Sequence, residues 1–534
     1  MKNIFTLFLL SLLTTAARAQ HNVLLIIADD LGTDYLGFYE DHQDTAAVPN
    51  IRKLLSKGVR FTNAMSNPVC SATRAGILTG RYSFRTGVGN IVGGTGGSGT
   101  LNINELTIPR LLNIYQPNGI SKANIGKWHL HGPMPASNLN NPNIMGYDLF
   151  SGVFIGQLAS YTNWTKVTNG VSANVTTYAT TETINDAVNF TAASALQNKP
   201  FFLWLAVNAP HAPYHLPPAG LHSYTNLSGT QMDINMNPKS YFKASLEALD
   251  HELGRLFDSL EIHGQLDNTD IIFIGDNGNT MQTAQIADTD QAKGTIYQYG
   301  VHVPFVIAGP SVVDPGRVSD ALVNTADLFA TILELFGYTD WPAQIPVDKP
   351  VDSQSIVPVL KNESTGARAW SFTEIFKNTP DAADGKTMRN AEYKLLDFDD
   401  GHQEFYHLAS DPGEMNNLLT GVLNATELSN YVYLCSEMTA LVGSGSFCNA
   451  AVGTEDVGAL TGGLSVYPNP FQSHLYVSSA SGEETFELVN ALGQVVFLGK
   501  DIEKQDFSGL EKGVYFLKVL EGKVRTRIIR ISKD

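Results

Sequence analysis

The chain has 534 residues, of which 43% are hydrophobic and 10% aromatic, so it can bury a large core and its length indicates two or three domains. Its formal net charge of −17 argues against nucleic acid as a partner. The same charge means that an anionic substrate would have to be met by a locally cationic pocket.

The first nineteen residues have the layout of a signal peptide. Lys2 precedes an apolar run over residues 4–13, and Ala17-Arg18-Ala19 forms a small-x-small cleavage site. A run of this length cannot cross about 30 Å of hydrocarbon, and no later segment is long enough either. We therefore expect a signal peptide at 1–19 and an exported protein without a membrane span.

Four apolar runs are typical of buried parallel strands, and amphipathic helical patterns such as residues 49–58 and 240–261 lie between them. The runs cover residues 22–28, 122–125, 201–207 and 270–274. This alternation predicts an α/β fold, with a large mixed, mostly parallel sheet sandwiched by helices.

Polar side chains follow each of these runs. They are Asp29 and Asp30, Lys127 and His129, His211, and Asp276 and Asn277. Because ligands bind at the carboxyl ends of the strands in open parallel sheets, we expect these residues to converge on one site.

The rest of the chain indicates smaller domains. Residues 370–418 suggest a smaller antiparallel sheet, so we expect a main domain over 20–369 and a subdomain over 370–450. A Gly-, Ala- and Thr-rich linker follows at 451–463. Residues 464–534 alternate apolar and polar positions, which predicts an appended small β-sandwich.

The segments "YPNPF", "LVNALGQVV" and "GVYFLKV" and the basic final strand of this module resemble the C-terminal sorting domain of the type IX secretion system of Bacteroidetes. The resemblance implies the type IX machinery as a partner, and a protein that is secreted or attached to the cell surface. The alternative is a carbohydrate-binding β-sandwich.

The chain has three cysteines. Cys435 and Cys448 lie thirteen positions apart in a segment that we expect to be rich in loops, and in an oxidising compartment we expect them to form a disulfide. Cys70 is then unpaired. Its polar neighbours, with Arg74 four positions later, indicate a functional cysteine and not a buried inert thiol.

The stretch Cys70-Ser71-Ala72-Thr73-Arg74, continued by "GILTGR", resembles the signature of the type I sulfatases, Cys-x-(Pro or Ala)-x-Arg. The segments "NVLLIIADDLG", "GKWHLHG", "APHAP", "GDNGN" and "KGTIYQYGVHVPFVIAGP" extend the resemblance over roughly residues 22–418. Ala72 replaces the common Pro, which leaves open which maturation enzyme acts. His302 stands where relatives often have Arg, and we expect it to alter the rim of the pocket.

The resemblance implies that a formylglycine-generating enzyme oxidises Cys70 to formylglycine (3-oxoalanine). The hydrated aldehyde offers two hydroxyls. One attacks sulfur beside a divalent cation and forms a covalent sulfate ester, and loss of the proton from the other releases sulfate.

Asp29, Asp30, Asp276 and Asn277 offer the oxygen ligands that Ca²⁺ or Mg²⁺ prefers, and the resemblance favours Ca²⁺ with Cys70 among the ligands. Taken alone, Asp29 and Asp30 are equally explained as a helix cap after a strand.

The remaining site residues have distinct expected roles. If a helix begins at Cys70, Arg74 lies on the same face and holds the nucleophile and metal ligands. Lys127 and His129, two apart on an extended segment, point the same way. By resemblance, Lys127 binds sulfate and His129 assists release, while Lys293 bridges sulfate and the leaving oxygen. His211 protonates the leaving alcohol.

We therefore expect a secreted sulfatase that acts on a sulfated polysaccharide or oligosaccharide. One alternative is a phosphomonoester or phosphonate monoester hydrolase of the same superfamily. Another is a non-catalytic protein that binds sulfated glycans. His131 and His215 flank the motifs and are candidates for contact with the leaving sugar, and residues 89–100 are expected to form a loop near the substrate.

Overall fold

The computed structural model describes residues 21–533, with gaps at 94–95, 380, 444–446, 449–464, 469, 479–483, 491–493 and 522–524. The expected signal peptide and the expected linker lie outside the described residues. The chain forms two compact units. The first runs to Gln403 and also takes in residues 407–415, and the second comprises residues 404–406 and everything from Asn416 onward.

A ten-stranded sheet lies at the centre of the first unit. Its strands are β1 (Asn22–Ala28), β2 (Gly58–Met65), β3 (Ser121–Lys127), β4 (Leu149–Val153), β5 (Trp164–Thr168), β6 (Val171–Val175), β7 (Phe201–Val207), β8 (Thr269–Gly275), β9 (Phe305–Ala308) and β10 (Arg317–Asn324). Their order is β10-β2-β9-β8-β1-β7-β3-β4-β5-β6. The block from β8 to β4 is parallel, whereas β9 is antiparallel to both of its neighbours.

Helices cover this sheet. They are α1 (Pro49–Lys57), α2 (Cys70–Thr79), α3 (Ser83–Thr86), α4 (Ile108–Tyr115), α5 (Asn141–Ile144), α6 (Ala179–Leu196), α7 (Gln231–Met236), α8 (Pro238–Ile262), α9 (Gln298–Val301), α10 (Leu328–Leu335) and α11 (Val357–Leu360). Within the described part of the chain, every helix is too short or too polar to span a bilayer.

Both faces of the sheet are buried. Alternate residues of β1 enter two different apolar clusters, Leu25 on one face and Leu24 on the other. Helix α8 packs Phe242, Leu249 and Leu256 into the second cluster. Each such side chain contributes about 1.5–3 kcal/mol when fully buried. Burial on both faces explains why the strands are continuous apolar runs.

The smaller antiparallel sheet of the first unit contains β11 (Ser371–Ile375), β12 (Gly385–Arg389) and β13 (Tyr393–Phe398). The boundary between the two units falls inside β14 (Gln403–His407). The sequence predicts a small sheet here, but β12 was not foreseen because "GKTMR" is neither apolar nor strictly alternating.

The second unit contains α12 (Ala425–Val442) and a β module with its own apolar cluster. The strands of the module are β15 (Ser465–Tyr467), β16 (Tyr476–Ser478), β17 (Thr485–Asn490), β18 (Val495–Gly499), β19 (Gly513–Glu521) and β20 (Arg525–Lys533). The last four form one sheet in the order β18-β17-β19-β20.

Cys435 and Cys448 form a disulfide in the second unit. The expectation of a loop-rich surrounding was wrong for Cys435, which lies within α12. Asn424 and Glu427 form a capping box that starts this helix, and Tyr431, Cys435 and Met438 are buried along one face. The helical period was missed because apolar residues occur throughout the segment and do not mark a single face.

Candidate active site

The expected site residues meet at the carboxyl ends of four adjacent strands, β8, β1, β7 and β3. Asp29 and Asp30 follow β1, and Asp276 and Asn277 follow β8. Lys127 is the last residue of β3, and His211 lies four residues after β7. The strand order therefore brings together residues that are up to 248 positions apart in the chain.

Cys70 is the first residue of α2 and is 1% exposed. Its Sγ lies 3.1 Å from His129 Nδ1. Burial raises the pKa of the thiol above its ordinary value, although Lys127 and Lys293 oppose this effect. Because only a thiolate is a strong nucleophile, the unmodified side chain is a poor one in this environment.

Arg74, one helical turn after Cys70, is fully buried against the carboxylate of Asp276. Its Nη2 and Nε donate to Asp276 Oδ2 at 2.7 and 3.2 Å, and its Nη1 donates to the Lys127 carbonyl at 3.0 Å. Burial and Asp29 raise the pKa of Asp276 to about 6, against the lowering effect of Arg74. Arg74 thus ties the start of α2 to the ends of β8 and β3.

Lys127 and Asp29 form a buried ion pair in which Nζ donates to Oδ1 at 2.8 Å and to Oδ2 at 2.7 Å. Burial alone would raise the pKa of Asp29, but Lys127, His211 and Arg74 together hold the pKa below its ordinary value. Asp29 is therefore ionised despite complete burial.

Lys293 and His211 both face Asp30. Lys293 Nζ pairs with Asp30 Oδ1, and His211 Nε2 lies 3.5 Å from Oδ2. Burial opposes the charge on Lys293, but Asp30 and other nearby anions raise its pKa above the ordinary value. Burial lowers the pKa of His211, with Asp30 acting in the opposite direction.

Lys127 and His129 were expected to lie on one extended segment, but they do not. Because β3 ends at Lys127 and His129 has a positive φ of 56°, the two side chains do not share a strand face. A Cβ on Gly156 would lie 2.4 Å from the His129 ring, so any other residue there would force the ring to move. Burial and the adjacent Lys127 and Arg74 lower the pKa of His129 well below its ordinary value.

Four side chains offer oxygen atoms that could hold a divalent cation, namely Asp29, Asp30, Asp276 and Asn277. One ligand atom each from Asp29, Cys70 and Asp276 lies within 4.8 Å of the others, as do atoms of Asp29, Asp30 and His211. Asp30 Oδ2 and Asn277 Oδ1 are buried and find no hydrogen-bond partner among the described residues. A hard cation would satisfy these oxygens, so the donor set fits Ca²⁺ or Mg²⁺.

A cavity of about 300 Å³ opens onto Cys70, His129, His211 and Lys293. Its remaining walls come from residues 91–93, 131–133 and 154–157. Residues 91–93 of the 89–100 loop and His131 therefore line this cavity. His215 does not. Its ring stacks on Tyr161, with ring centroids 4.0 Å apart, and its nitrogens lie 2.9 Å from the Pro213 carbonyl and 3.0 Å from the Tyr178 hydroxyl.

His302 lies on a different cavity of about 610 Å³, which shares no lining residue with the first. Its Nε2 is 2.8 Å from the Thr62 carbonyl. The expectation that His302 alters the rim of the catalytic pocket was therefore wrong, because its side chain contacts β2 and lines the other cavity.

The sequence pointed to "GDNGN" but not to the role of its last residue. Asn279 Oδ1 accepts from the Gly32 amide at 2.9 Å, and the Asn279 carbonyl accepts from the Lys293 amide at 2.9 Å. Asn279 thus joins the loop after β1 to the segment that carries Lys293. Its place inside the motif was the signal that could have identified it.

Comparison with known proteins gives three family matches. The sulfatase family model matches residues 21–338, which is more than half of the chain. The model of the N-sulphoglucosamine sulphohydrolase C-terminal region matches 291–432, and that of the secretion system C-terminal sorting domain matches 465–531.

Individual relatives agree with this assignment. The uncharacterized sulfatase YdeN of Escherichia coli K12 is 26% identical over 406 residues, covering 67% of this chain and 69% of YdeN. The ulvan-active sulfatase of Formosa agariphila is 23% identical over 420 residues, covering 74% and 77% respectively.

Among solved structures, Ps i-CgsB in complex with k-i-k-neocarrahexaose has the same fold, with a TM-score of 0.64 at 24% identity over 79% of this chain and 92% of that one. The sorting domain indicates type IX secretion, to the outside or to the cell surface. The chain belongs to the sulfatase family, is a sulfuric ester hydrolase and carries a type IX sorting domain.

Proposed function

We propose that this protein hydrolyses sulfate monoesters of sulfated polysaccharides or oligosaccharides, with formylglycine at position 70 and Ca²⁺ bound by Asp29, Asp30, Asp276 and Asn277. The observation that carries the proposal is the position of Cys70. Its side chain lies at the first turn of α2 and lines a cavity together with Lys293, in the same site as the buried Arg74–Asp276 and Lys127–Asp29 pairs.

Two groups would supply the chemistry that the twenty amino acids lack. Formylglycine, when hydrated, supplies one hydroxyl to attack sulfur and a second whose deprotonation releases sulfate. Ca²⁺ supplies the positive charge that lowers the pKa of a hydroxyl beside it.

The negative charge of the substrate requires positive charge in the site. A sulfate monoester is an anion, and the protein as a whole carries −17. Lys293 lines the cavity, and Lys127 and Arg74 are fully buried. Each of these cations is paired with a carboxylate, so the excess positive charge that favours the anion would come from the bound Ca²⁺. Their positions are fixed before substrate arrives, which avoids reorganisation during the reaction.

The two histidines would move protons on opposite sides of sulfur. His129 has a lowered pKa and is neutral, so its Nδ1, 3.1 Å from Cys70 Sγ, can accept a proton from a hydroxyl at that position. His211 lies beside Asp30 at the other wall and would donate to the leaving alcohol. Because a bound sulfate ester adds negative charge, it raises the pKa of His211 and favours the protonated form.

Three observations support a saccharide as the leaving group. A cavity of about 300 Å³ has the volume for one sugar unit that carries the sulfate. The relative from Formosa agariphila is named for activity on ulvan. Export through the sorting domain delivers the enzyme to polymers outside the cell. We further propose a signal peptide at 1–19, a catalytic domain at 20–369, a subdomain at 370–450 and a linker at 451–463.

The test combines mass spectrometry with turnover. In active protein from its native host, the peptide that contains residue 70 should have the mass of formylglycine, and Cys70→Ala should abolish turnover while the unfolding midpoint stays unchanged. An intact thiol in fully active protein, or near-native activity of Cys70→Ala, would refute the nucleophile.

The same preparation separates the alternative functions. It should turn over an aryl sulfate far faster than the matched aryl phosphate. A preference for the phosphate by orders of magnitude would identify a phosphomonoesterase. Binding of sulfated oligosaccharides without any turnover would identify a non-catalytic binder.

A further inference from the structure

An acidic residue, Glu414, accepts hydrogen bonds from both ends of the segment that carries Lys293. Lys293 lies between a short 3-10 turn (Thr289–Gln291) and the four-residue helix α9, and it is followed by Gly294 with a positive φ of 93°. Such short elements do not fix a side chain by themselves. The position of the Lys293 ammonium therefore depends on what holds the two ends of the segment.

Glu414 contacts both ends. The Gln291 side chain donates from Nε2 to the Glu414 carbonyl at 3.3 Å, and the Gln298 amide donates to Glu414 Oε2. Gln291 and Gln298 flank Lys293 by two and five residues. One residue thus receives hydrogen bonds from each end of an eight-residue stretch.

Glu414 is itself held rigidly. It is 2% exposed, and its Oε1 pairs with Lys394 Nζ at 2.8 Å, with both side chains 1% exposed. Its φ of +51° lies in the left-handed region, which a non-glycine residue keeps only where surrounding contacts determine it. The anchor is therefore a fixed point, unlike an exposed carboxylate that moves with its loop.

The middle of the segment is hydrogen-bonded to residues close to Cys70. The Lys293 amide donates to the Asn279 carbonyl at 2.9 Å, and the Gly294 amide donates to the Pro68 carbonyl, two residues before Cys70, at 3.0 Å. The segment therefore has hydrogen bonds to Glu414, which is part of the buried Glu414–Lys394 pair, and to two carbonyls near the catalytic residues.

We propose that Glu414 is a positioning residue that acts through Lys293. Glu414 lines neither the catalytic cavity nor the cation cluster, so it touches no reacting atom. It fixes the segment so that Lys293 Nζ is aimed at the substrate. The inference rests on the role that the proposed function gives to Lys293.

A double-mutant cycle on kcat for an activated aryl sulfate tests this. Glu414→Ala should lower kcat by about 10–100-fold, the loss expected when a catalytic group moves by about 1 Å. In a Lys293→Ala background the same change should lower kcat by less than about 3-fold, because residues that act as a unit are not additive. Glu414→Gln, whose amide oxygen still accepts from the Gln298 amide, should recover most of the loss.

Gln291→Ala gives a milder second cycle, because it removes one hydrogen bond and leaves the Glu414–Lys394 pair intact. It carries the test if Glu414→Ala does not fold. The matched control is Asp327→Asn, which weakens the buried pair with Arg368 elsewhere in the same unit. Its effect on kcat should be equal in the wild-type and Lys293→Ala backgrounds.

The outcomes separate the two claims. Equal losses from Glu414→Ala, or from Gln291→Ala, in both backgrounds would overturn the positioning role while leaving the proposed function intact. Native activity of Lys293→Ala would instead refute the role proposed for Lys293, and the inference would fall with it.

Discussion

The Lys127 ammonium lies 2.8 and 2.7 Å from the two oxygens of Asp29, although 98 residues separate them in the chain. Strand β7 lies between the strands that carry them, so the pair forms only above the ends of the sheet. Both side chains are fully buried. The pair is therefore a product of sheet order.

Lys127→Met should destabilise the metal-free protein by about 3–5 kcal/mol, the usual cost of leaving one partner of a buried pair uncompensated. It should also abolish most turnover. Denaturant unfolding and kcat measure the two effects. Lys122→Met, on the same strand, is the control, because its partner Asp148 is half exposed and stays hydrated. Equal losses of activity in the two variants would contradict a specific role for Lys127.

Removal of the metal should lower the unfolding temperature. With a chelator present, the carboxylates after β1 and β8 lose their cation, and added Ca²⁺ should restore the midpoint more effectively than Mg²⁺. Asn277→Ala should shrink the Ca²⁺-dependent shift. Asp270→Asn, near the opposite end of β8, should keep it in full. A midpoint that is insensitive to chelation and to Ca²⁺ would rule out the cation site.

His211→Ala should reduce the hydrolysis of sugar sulfates by about 10²–10⁴-fold while affecting activated aryl sulfates far less, since aryl leaving groups need little protonation. The measurement is kcat/KM of the wild type and the variant on both substrate types, which gives the loss on each. His215→Ala, four residues later and outside the cavity, should change both rates by the same small factor. Equal losses on both substrates in His211→Ala would reject it as the acid.

Glu374 should make the stability of the first unit pH-dependent. Its Oε1 accepts from the Phe84 amide at 2.6 Å, while Oε2 is buried with no hydrogen-bond partner among the described residues. Burial raises the pKa of Glu374 from 4.5 to about 7. A raised carboxyl pKa favours the folded state below pH 4.5, and this advantage is lost as the pH rises through 7.

Ionisation of Glu374 alone should lower the free energy of unfolding by about 3 kcal/mol as the pH rises. Glu374→Gln has no proton to lose, so the variant should gain stability relative to the wild-type protein between pH 5 and pH 8. Unfolding midpoints of both proteins across this range provide the measurement. Parallel pH profiles would mean that Glu374 does not titrate in the folded protein.

Much of the fold follows from local patterns. Continuous apolar runs predicted β1, β7 and β8 to within a residue at each end, because a strand buried on both faces needs no polar alternation. A helix start at Cys70 was only assumed, as the condition under which Arg74 lies on the same face, and α2 does begin there. In contrast, α12 and β12 were missed, since neither has a strong apolar period.

By itself, the sequence determined the four apolar strands β1, β3, β7 and β8, the residues that follow them and the family motifs, because these depend on periodicity and on short spacings. The tertiary structure alone decided which charges meet: Lys127 with Asp29, Arg74 with Asp276, and Glu414 with the two ends of the Lys293 segment. The tertiary structure also decided that His129 lies beyond the end of β3 with a positive φ, and that His302 lines a different cavity. Such pairings depend on strand order and burial across hundreds of residues, and no local pattern in the chain encodes them.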